Sequence, residues 1–276
     1  MTPAKFRLMV WQYYREQGRH DLPWRKTDDM YRILVSEVML QQTQVDRVIP
    51  IYKKFITEFP TAKKLAMAPL SVVLKQWQGL GYNRRAKMLH QAAKVLSEIS
   101  RFEKLGQKSD LAGLVPELEK LPGVGPYTSR AVATFAFNQD VILVETNIRT
   151  VIIHHFFSGK EKVSDAEIEK VLIAMLPKGK SRQWYSALMD YGAHLKRSGL
   201  SQNVRSKKQV KQPKFIGSLR EARGAILRKL THGSLTQNKL IKLLGALRQE
   251  QMQRALSDLC AEGLVQKEKS LYSLAE

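Results

Sequence analysis

Cysteine is almost missing from this chain. Its 276 residues contain one, Cys260, which excludes an intrachain disulfide and any metal centre built from several thiolates. Long apolar runs are missing as well: no stretch of about eighteen consecutive apolar residues occurs, and Met1-Thr2-Pro3-Ala4-Lys5 lacks an apolar signal-peptide core. A cytoplasmic protein, not secreted and without a membrane partner, is therefore expected. Acidic residues are scarce, 25 Asp and Glu against 46 Lys and Arg, for a net charge of +21. A surplus of that size points to a polyanionic partner, nucleic acid ahead of an anionic membrane surface. Charge does not separate a protein that acts on such a partner from one that only holds it. Strand-like alternation is nearly absent before residue 195, so that part reads as all-α.

What is present is organised around Leu121–Asn147. Leu121-Pro122-Gly123-Val124-Gly125-Pro126-Tyr127-Thr128 sits between two helical patterns. Glycines one residue apart allow a sharp turn that leaves backbone N–H groups uncovered, and Pro126 suits the first position of the following helix. Such a helix start attracts anions, phosphate above all. The hairpin has an echo, because Leu74-Lys-Gln-Trp-Gln-Gly-Leu-Gly81 matches Leu118-Glu-Lys-Leu-Pro-Gly-Val-Gly125 position by position. Two such hairpins in a basic chain suggest a surface for a nucleic-acid backbone.

Helical spacing covers Phe6–Gln17 and Met30–Gln42, the latter carrying Glu37, with the loop Leu22-Pro23-Trp24-Arg25 between them. Further helices are expected over Val48–Ser100, from Ile148 to His155, over Asp165–Leu176 and over Gln183–Leu195. The segment 196–214 holds seven Lys and Arg and no acid, and reads as a basic linker or DNA-tracking segment. Residues 215–276 read as a separate module of three helices (Leu219–Leu230, one around Leu240–Leu244, one around Met252–Leu259) and a hairpin. That hairpin would pair Leu264-Val265-Gln266 with Leu271-Tyr272-Ser273, giving a small α+β winged helix. Its third helix is the expected reader of a DNA groove, although such modules also bind proteins. Trp11, Trp77 and Trp184 read as core, and His154-His155 as a helix face rather than a metal site.

Two carboxylates invite a chemical reading. Glu37 sits among apolar neighbours, where burial raises a carboxyl pKa and allows proton delivery near neutral pH. Glu145 precedes Thr146-Asn147 at the start of a helix, where the dipole favours the anion. An acid on the leaving group and an anion facing an oxocarbenium ion is the pairing that breaks a glycosidic bond. Spacing alone does not pair residues so far apart.

The motifs Ser36-Glu37-Val38-Met39-Leu40-Gln41-Gln42-Thr43-Gln44-Val45, Trp77-Gln78-Gly79-Leu80-Gly81-Tyr82 and Leu121-Pro122-Gly123-Val124-Gly125 resemble the adenine DNA glycosylase (MutY) branch of the helix-hairpin-helix glycosylases. The resemblance covers about residues 6–195. It implies a two-lobed core over 1–195, with a six-helix lobe about 28–137 and a second lobe from 1–27 plus 138–195. It also implies a monofunctional base-excision enzyme that removes a mispaired base, adenine opposite 8-oxoguanine or guanine first. A thymine or uracil mismatch glycosylase, or a weakly catalytic lesion-binding protein, are the alternatives. Glu37 matches the acid that protonates the purine, and Glu145 falls where the family has an aspartate facing the sugar cation. Tyr127 matches the position that is lysine in bifunctional lyases, and Asn147 an asparagine that holds the catalytic groups. Gln42, Thr43 and Tyr82 match residues that wedge into the duplex, and Gly123, Val124 and Gly125 the phosphate-clasping hairpin. Trp24, Arg25 and Ser186 are the candidate base pocket. The implied partner is double-stranded DNA with a mismatched or damaged base, bound by a monomer, on the nucleoid if the source is bacterial.

The chain departs from the family in four places. Glu145 is one methylene longer than the family's aspartate. The four cluster cysteines fall near Lys196, Asn203, Ser206 and Gln212, so no iron–sulfur cofactor is expected, while a monovalent cation at the hairpin loop stays compatible. Ser186 stands where the family reads the adenine edge. A winged helix stands where the family has a domain sensing 8-oxoguanine.

Overall fold

A computed structural model of the chain describes residues 1–98, 113–208 and 214–276. In chain order the first helices are α1 (Pro3–Gln17), α2 (Met30–Leu40), α3 (Val45–Glu58), α4 (Ala62–Met67), α5 (Leu70–Gln76) and α6 (Arg84–Glu98). Then come α7 (Leu114–Glu119), α8 (Pro126–Phe137), α9 (Thr146–Phe156), α10 (Asp165–Met175) and α11 (Ser181–Arg197). The last are α12 (Leu219–Leu230), α13 (Gln237–Ile241) and α14 (Gln249–Ala261), with strands β1 (Leu235–Thr236), β2 (Val265–Glu268) and β3 (Leu271–Leu274). No helix among the described residues is long and apolar enough to cross a membrane.

These elements form two compact units. The first comprises residues 1–37, 113–120 and 124–208. Its helix starts are legible in the residues that make them: Thr2 caps α1 ahead of Pro3, and Ser164 with Glu167 forms a reciprocal capping box on α10. Phe6, Val10, Ile148, Ile152, Trp184 and Leu188 meet in one core where α1 and α9 lie on α11. Each such side chain stabilises the fold by about 1.5–3 kcal/mol on full burial. Helices α7 and α8, expected in the six-helix lobe, fall in this unit: Tyr127, Ala131 and Phe135 of α8 pack into the same core, and α7 packs on α8. Gly192 lets α11 pass directly over α9, since a Cβ there would lie 2.3 Å from the Asn147 carbonyl oxygen.

The expected linker begins inside a helix. Lys196 and Arg197 finish α11, Asn203–Arg205 forms a 3-10 turn, and Ser206 makes a β-bridge to Val163. The Arg205 guanidinium holds the turn by donating to the carbonyls of Phe157 and Lys160. Residues 209–213, the rest of that linker, lie outside the described residues.

The second unit comprises 38–98, 121–123 and 214–276. Helices α4 and α5 pack on α6, and Phe55 meets Phe59 and Trp77 edge-on at centroid separations of 4.9 and 5.9 Å. The chain end follows the order α12-β1-α13-α14-β2-β3 of a winged helix, with a sheet ordered β1-β3-β2, all antiparallel. Ile226, Leu227, Leu240, Met252, Leu256 and Leu259 fill its interior. Its hairpin is tighter than the sequence pattern predicts: Glu268 pairs with Leu271, and Lys269 takes the positive φ of +53° that the two-residue turn demands. The short β1 carries no legible periodicity. The module rests on the rest of the unit through α5 against β3 and through Lys87 Nζ, which donates to the Glu262 carbonyl at 2.6 Å.

Candidate active site

In the first unit, Glu37 lies on α2 with 8% of its surface exposed, flanked by buried Ser36, Leu34 and Val35. Its carboxyl pKa is pushed up to about 7, by burial first and then by the Glu145 charge, while a hydrogen bond from Tyr127 holds it back. Tyr127 is the second residue of α8, placed there by Pro126 at the helix start. Burial, then the charges of Glu37 and Glu145, raise its phenol well above the ordinary range, so the hydroxyl is a donor at any working pH.

Glu145 is the N-cap of α9. Its Oε1 accepts from the Asn147 and Ile148 backbone N–H groups, both at 2.7 Å. Its Oε2 accepts from Thr146 Oγ1 at 3.1 Å and Asn147 Nδ2 at 3.2 Å. Four donors on two oxygens fill the acceptor sites of a carboxylate. The Glu145 side chain therefore folds back over its own helix end, and Asn147 holds it from both backbone and side chain. Thr146 is in turn fixed by Lys196 Nζ at 3.0 Å. Burial lowers the Lys196 pKa, with Glu145 opposing. Arg149, one turn on, makes a bidentate pair with Asp165 at 2.8 and 2.9 Å, and Lys208 joins Asp165 at 2.9 Å.

The three base-pocket candidates are each committed locally. Trp24 is buried in the 3-10 turn Pro23–Arg25. Arg25 is drawn to buried Asp190 by contacts of 2.6 and 2.9 Å, and Arg19 pairs with the same carboxylate. The Ser186 hydroxyl donates to the Arg182 carbonyl one turn back, at 2.9 Å. Of the positions where the resemblance places cluster cysteines, Lys196 donates to Thr146, Asn203 Oδ1 accepts from Thr150 at 3.2 Å, and Ser206 Oγ accepts from the Lys208 N–H. Gln212 lies outside the described residues. An amine, an amide and a hydroxyl do not fit an iron–sulfur cluster, which takes thiolates. Among the described residues no group of three or more His, Cys, Asp or Glu is placed to hold a metal ion.

The second unit carries the candidate DNA loops. Gln42 and Tyr82 have φ of +55° and +46°, left-handed conformations that cost a non-glycine residue energy and cluster at working surfaces. Arg85, which sequence reasoning passed over, holds both loops. Its Nη1 donates to the carbonyls of Val38, Met39 and Gln41 at 2.7, 3.1 and 2.6 Å. Its Nη2 donates to Thr43 Oγ1 and to the carbonyls of Leu80 and Gly81, each at 3.2 Å. Burial pulls its pKa down to about 10, so it stays charged. The echo between hairpins holds at its first glycine, since Gly79 and Gly123 have φ of +95° and +76°. It breaks at the second: Gly81 is left-handed at +68°, whereas Gly125 is the extended N-cap of α8 at −97°. Gly123 also needs its missing side chain, because a Cβ would meet the Met88 Cβ at 2.6 Å. Val124 is buried beside it in sequence.

The chain is similar to known proteins in sequence and in fold. A family model described as HhH-GPD superfamily base excision DNA repair protein matches residues 35–177. An adenine DNA glycosylase of Mycolicibacterium smegmatis is 38% identical over 195 residues, 70% of this chain and 63% of the relative. One from Buchnera aphidicola subsp. Baizongia pistaciae is 34% identical over 198 residues, 70% of this chain and 53% of the relative. This chain thus aligns with little more than half the length of such relatives. A solved thermostable thymine-DNA glycosylase superposes with a TM-score of 0.57 at 28% identity, covering 69% of this chain and 87% of that one. A trapped endonuclease III–DNA covalent intermediate, at 20% identity and a TM-score of 0.53 over 70% of this chain and 87% of its own, shares the fold.

Proposed function

This chain belongs to the HhH-GPD superfamily of base excision DNA repair proteins, and from that membership we propose that it is a monofunctional DNA N-glycosylase acting on duplex DNA, with mispaired adenine as its substrate. One observation carries the reading: two glutamates from distant parts of the sequence share one site in opposite hydrogen-bonding settings. Glu37 holds its proton up to about pH 7, while Glu145 offers a carboxylate saturated by four donors.

In the reaction, Glu37 gives its proton to the base, most simply at purine N7, and the glycosidic electron pair leaves with the base. The deoxyribosyl cation that remains is stabilised by the Glu145 charge until water adds at the anomeric carbon and loses a proton, leaving an abasic site. A carboxylate with its lone pairs occupied serves as an electrostatic partner rather than a covalent one. Tyr127 has no amine for a Schiff base, and Lys120 pairs with Glu117, which supports hydrolysis without strand cleavage. The donor set at Lys196, Asn203 and Ser206 supports activity without an iron–sulfur cluster. Residues 1–195 are read as the catalytic core and 215–276 as a winged-helix domain, in a monomer working on cytoplasmic, nucleoid-borne DNA.

A second reading, a thymine or uracil mismatch glycosylase, is favoured by the Ser186 hydroxyl being committed to its own helix and by the likeness to a solved thymine-DNA glycosylase. Duplexes with A·8-oxoguanine, A·G, T·G and U·G pairs, incubated with protein and cleaved by alkali, decide between them. The expected result is release of adenine that vanishes in Glu37→Gln. Release of thymine or uracil alone selects the second reading, and tight binding with no release from any duplex overturns both.

A further inference from the structure

The winged helix invites the expectation that its third helix reads DNA, and its charges argue otherwise. Helix α14 (Gln249–Ala261) carries one basic residue, Arg254, against Glu250 and Asp258. Helix α12 (Leu219–Leu230) carries Arg220, Arg223, Arg228 and Lys229 against Glu221 alone. Glu221 is itself neutralised by Arg248 at 2.7 Å, and Arg223 is bound bidentately by Glu262 at 2.9 and 2.6 Å. Helix α12 further presents Arg220, which is engaged with Tyr82, and the exposed Arg228 and Lys229.

Arg220 and Arg228 line a cavity of about 1240 Å³ inside the second unit, lined also by the loops around Gln42 and Tyr82, with Arg47 and Arg84 exposed along it. Glu262 is the one acid among the lining residues, and its carboxylate is already taken. The Arg220 guanidinium lies 5.3 Å from the Tyr82 ring centroid, donates to the Tyr82 hydroxyl at 2.6 Å, and lies 5.9 Å from the centroid of Phe215. Tyr82 is one of the two loop residues in a left-handed conformation. A groove lined by arginines from α12 and from the loops, with its acid neutralised and the Tyr82 ring held by the guanidiniums of Arg220 and, at 5.5 Å, Arg85, is built for a phosphodiester backbone.

We propose that the winged-helix module grips duplex DNA with its first helix, through this groove. Arg228, Arg47 and Arg84 hold phosphates there, and Arg220 is the positioning residue that keeps Tyr82 set as the wedge. The proposal rests on the glycosylase reading above and assigns the DNA contact within it.

The test uses the full chain and duplexes carrying a tetrahydrofuran abasic analogue, with affinity measured by fluorescence anisotropy across a salt series. Arg228→Ala and Arg220→Ala are each expected to weaken binding about tenfold, and Arg228→Ala to flatten the salt slope by about one. Arg254→Ala on α14 leaves both unchanged. Arg220→Lys recovers the affinity but not base unstacking, read from 2-aminopurine placed beside the target, which a merely structural role would not separate. Arg228 is exposed, so its variant tests the groove even if Arg220→Ala disturbs folding. Wild-type affinity and slope in both alanine variants overturn the proposal, as does a loss confined to Arg254→Ala. Adenine release by the wild-type protein, scored in parallel, tells failure of this proposal from failure of the enzyme reading.

Discussion

The end of α2 and the start of α9 present the same side chain in opposite settings. At the first, Glu37 is enclosed by Leu34, Val35 and its helix neighbours, and one phenol is the donor that addresses it. At the second, Glu145 sits on a helix start and takes hydrogen bonds from two backbone N–H groups, a hydroxyl and an amide. Residue type therefore says little about role. In the proposed reaction, the number of donors aimed at each carboxyl and the water denied to it assign the acid's role to one and the cation-facing role to the other.

The comparison breaks most visibly if Glu37 is replaced. Glu37→Gln keeps the shape and removes the proton, so single-turnover base release should fall by about a thousandfold. The same variant tests the setting through stability. A carboxyl whose folded pKa lies near 7 is favoured in the folded state below its ordinary pKa of 4.5, and that advantage is lost as pH rises through 7. Glu37→Gln is uncharged throughout and should be more stable than wild type at pH 8 by about 3 kcal/mol, with no gain near pH 4. Equal melting shifts at both pH values would show that Glu37 is not in an ion-rejecting site.

Removing the other charge should cost somewhat less. Glu145→Ala takes away the anion and the helix cap together, for an expected rate loss of about a hundredfold and about 1 kcal/mol of stability. Glu145→Asp retains a good cap, and a rate within about tenfold of wild type is expected. A much larger gain would mean that the longer side chain impairs the native site. Gly192→Ala sharpens the comparison without replacing either acid. The new methyl would strike the Asn147 carbonyl, displace the start of α9 together with its Glu145 cap, and lower the rate by up to about a hundredfold. The smallest effect is expected from Tyr127→Phe. Its hydroxyl lowers the Glu37 pKa, so its loss should move the alkaline limb of kcat/KM to higher pH. A move to lower pH would contradict the donor role assigned to Tyr127.

Much of the fold was legible because its signals are local. Pro126 after the glycine pair, the apolar spacing of α9 and the order of helices in the winged module follow from residues near one another in sequence. The site was half legible. Burial could be read for Glu37 and a helix start for Glu145, but their meeting is a tertiary fact that no spacing encodes. The clamps were not legible for the same reason. Arg25 and Asp190 are 165 residues apart, and nothing around either one names its partner. Within residues 196–208, Arg197, Lys207 and Lys208 are exposed as a basic linker would have them, whereas Lys196 and Arg205 turn inward to a hydroxyl and to carbonyls, which composition does not signal. The second glycine of each hairpin shows the limit of motif matching, because one identity supports a left-handed turn and the other an extended cap.

Arg85 reaches three carbonyls at the end of α2 and two in the Gly79–Gly81 turn with a single planar group. A lysine there would bring a charge but no rigid fork, and could not satisfy both backbones at once. The consequence is thermodynamic preorganisation. The strained backbones at Gln42 and Tyr82 are stabilised within the folded chain itself, so on the proposed reading the free energy of encounter with a duplex goes into unstacking DNA instead of ordering the protein.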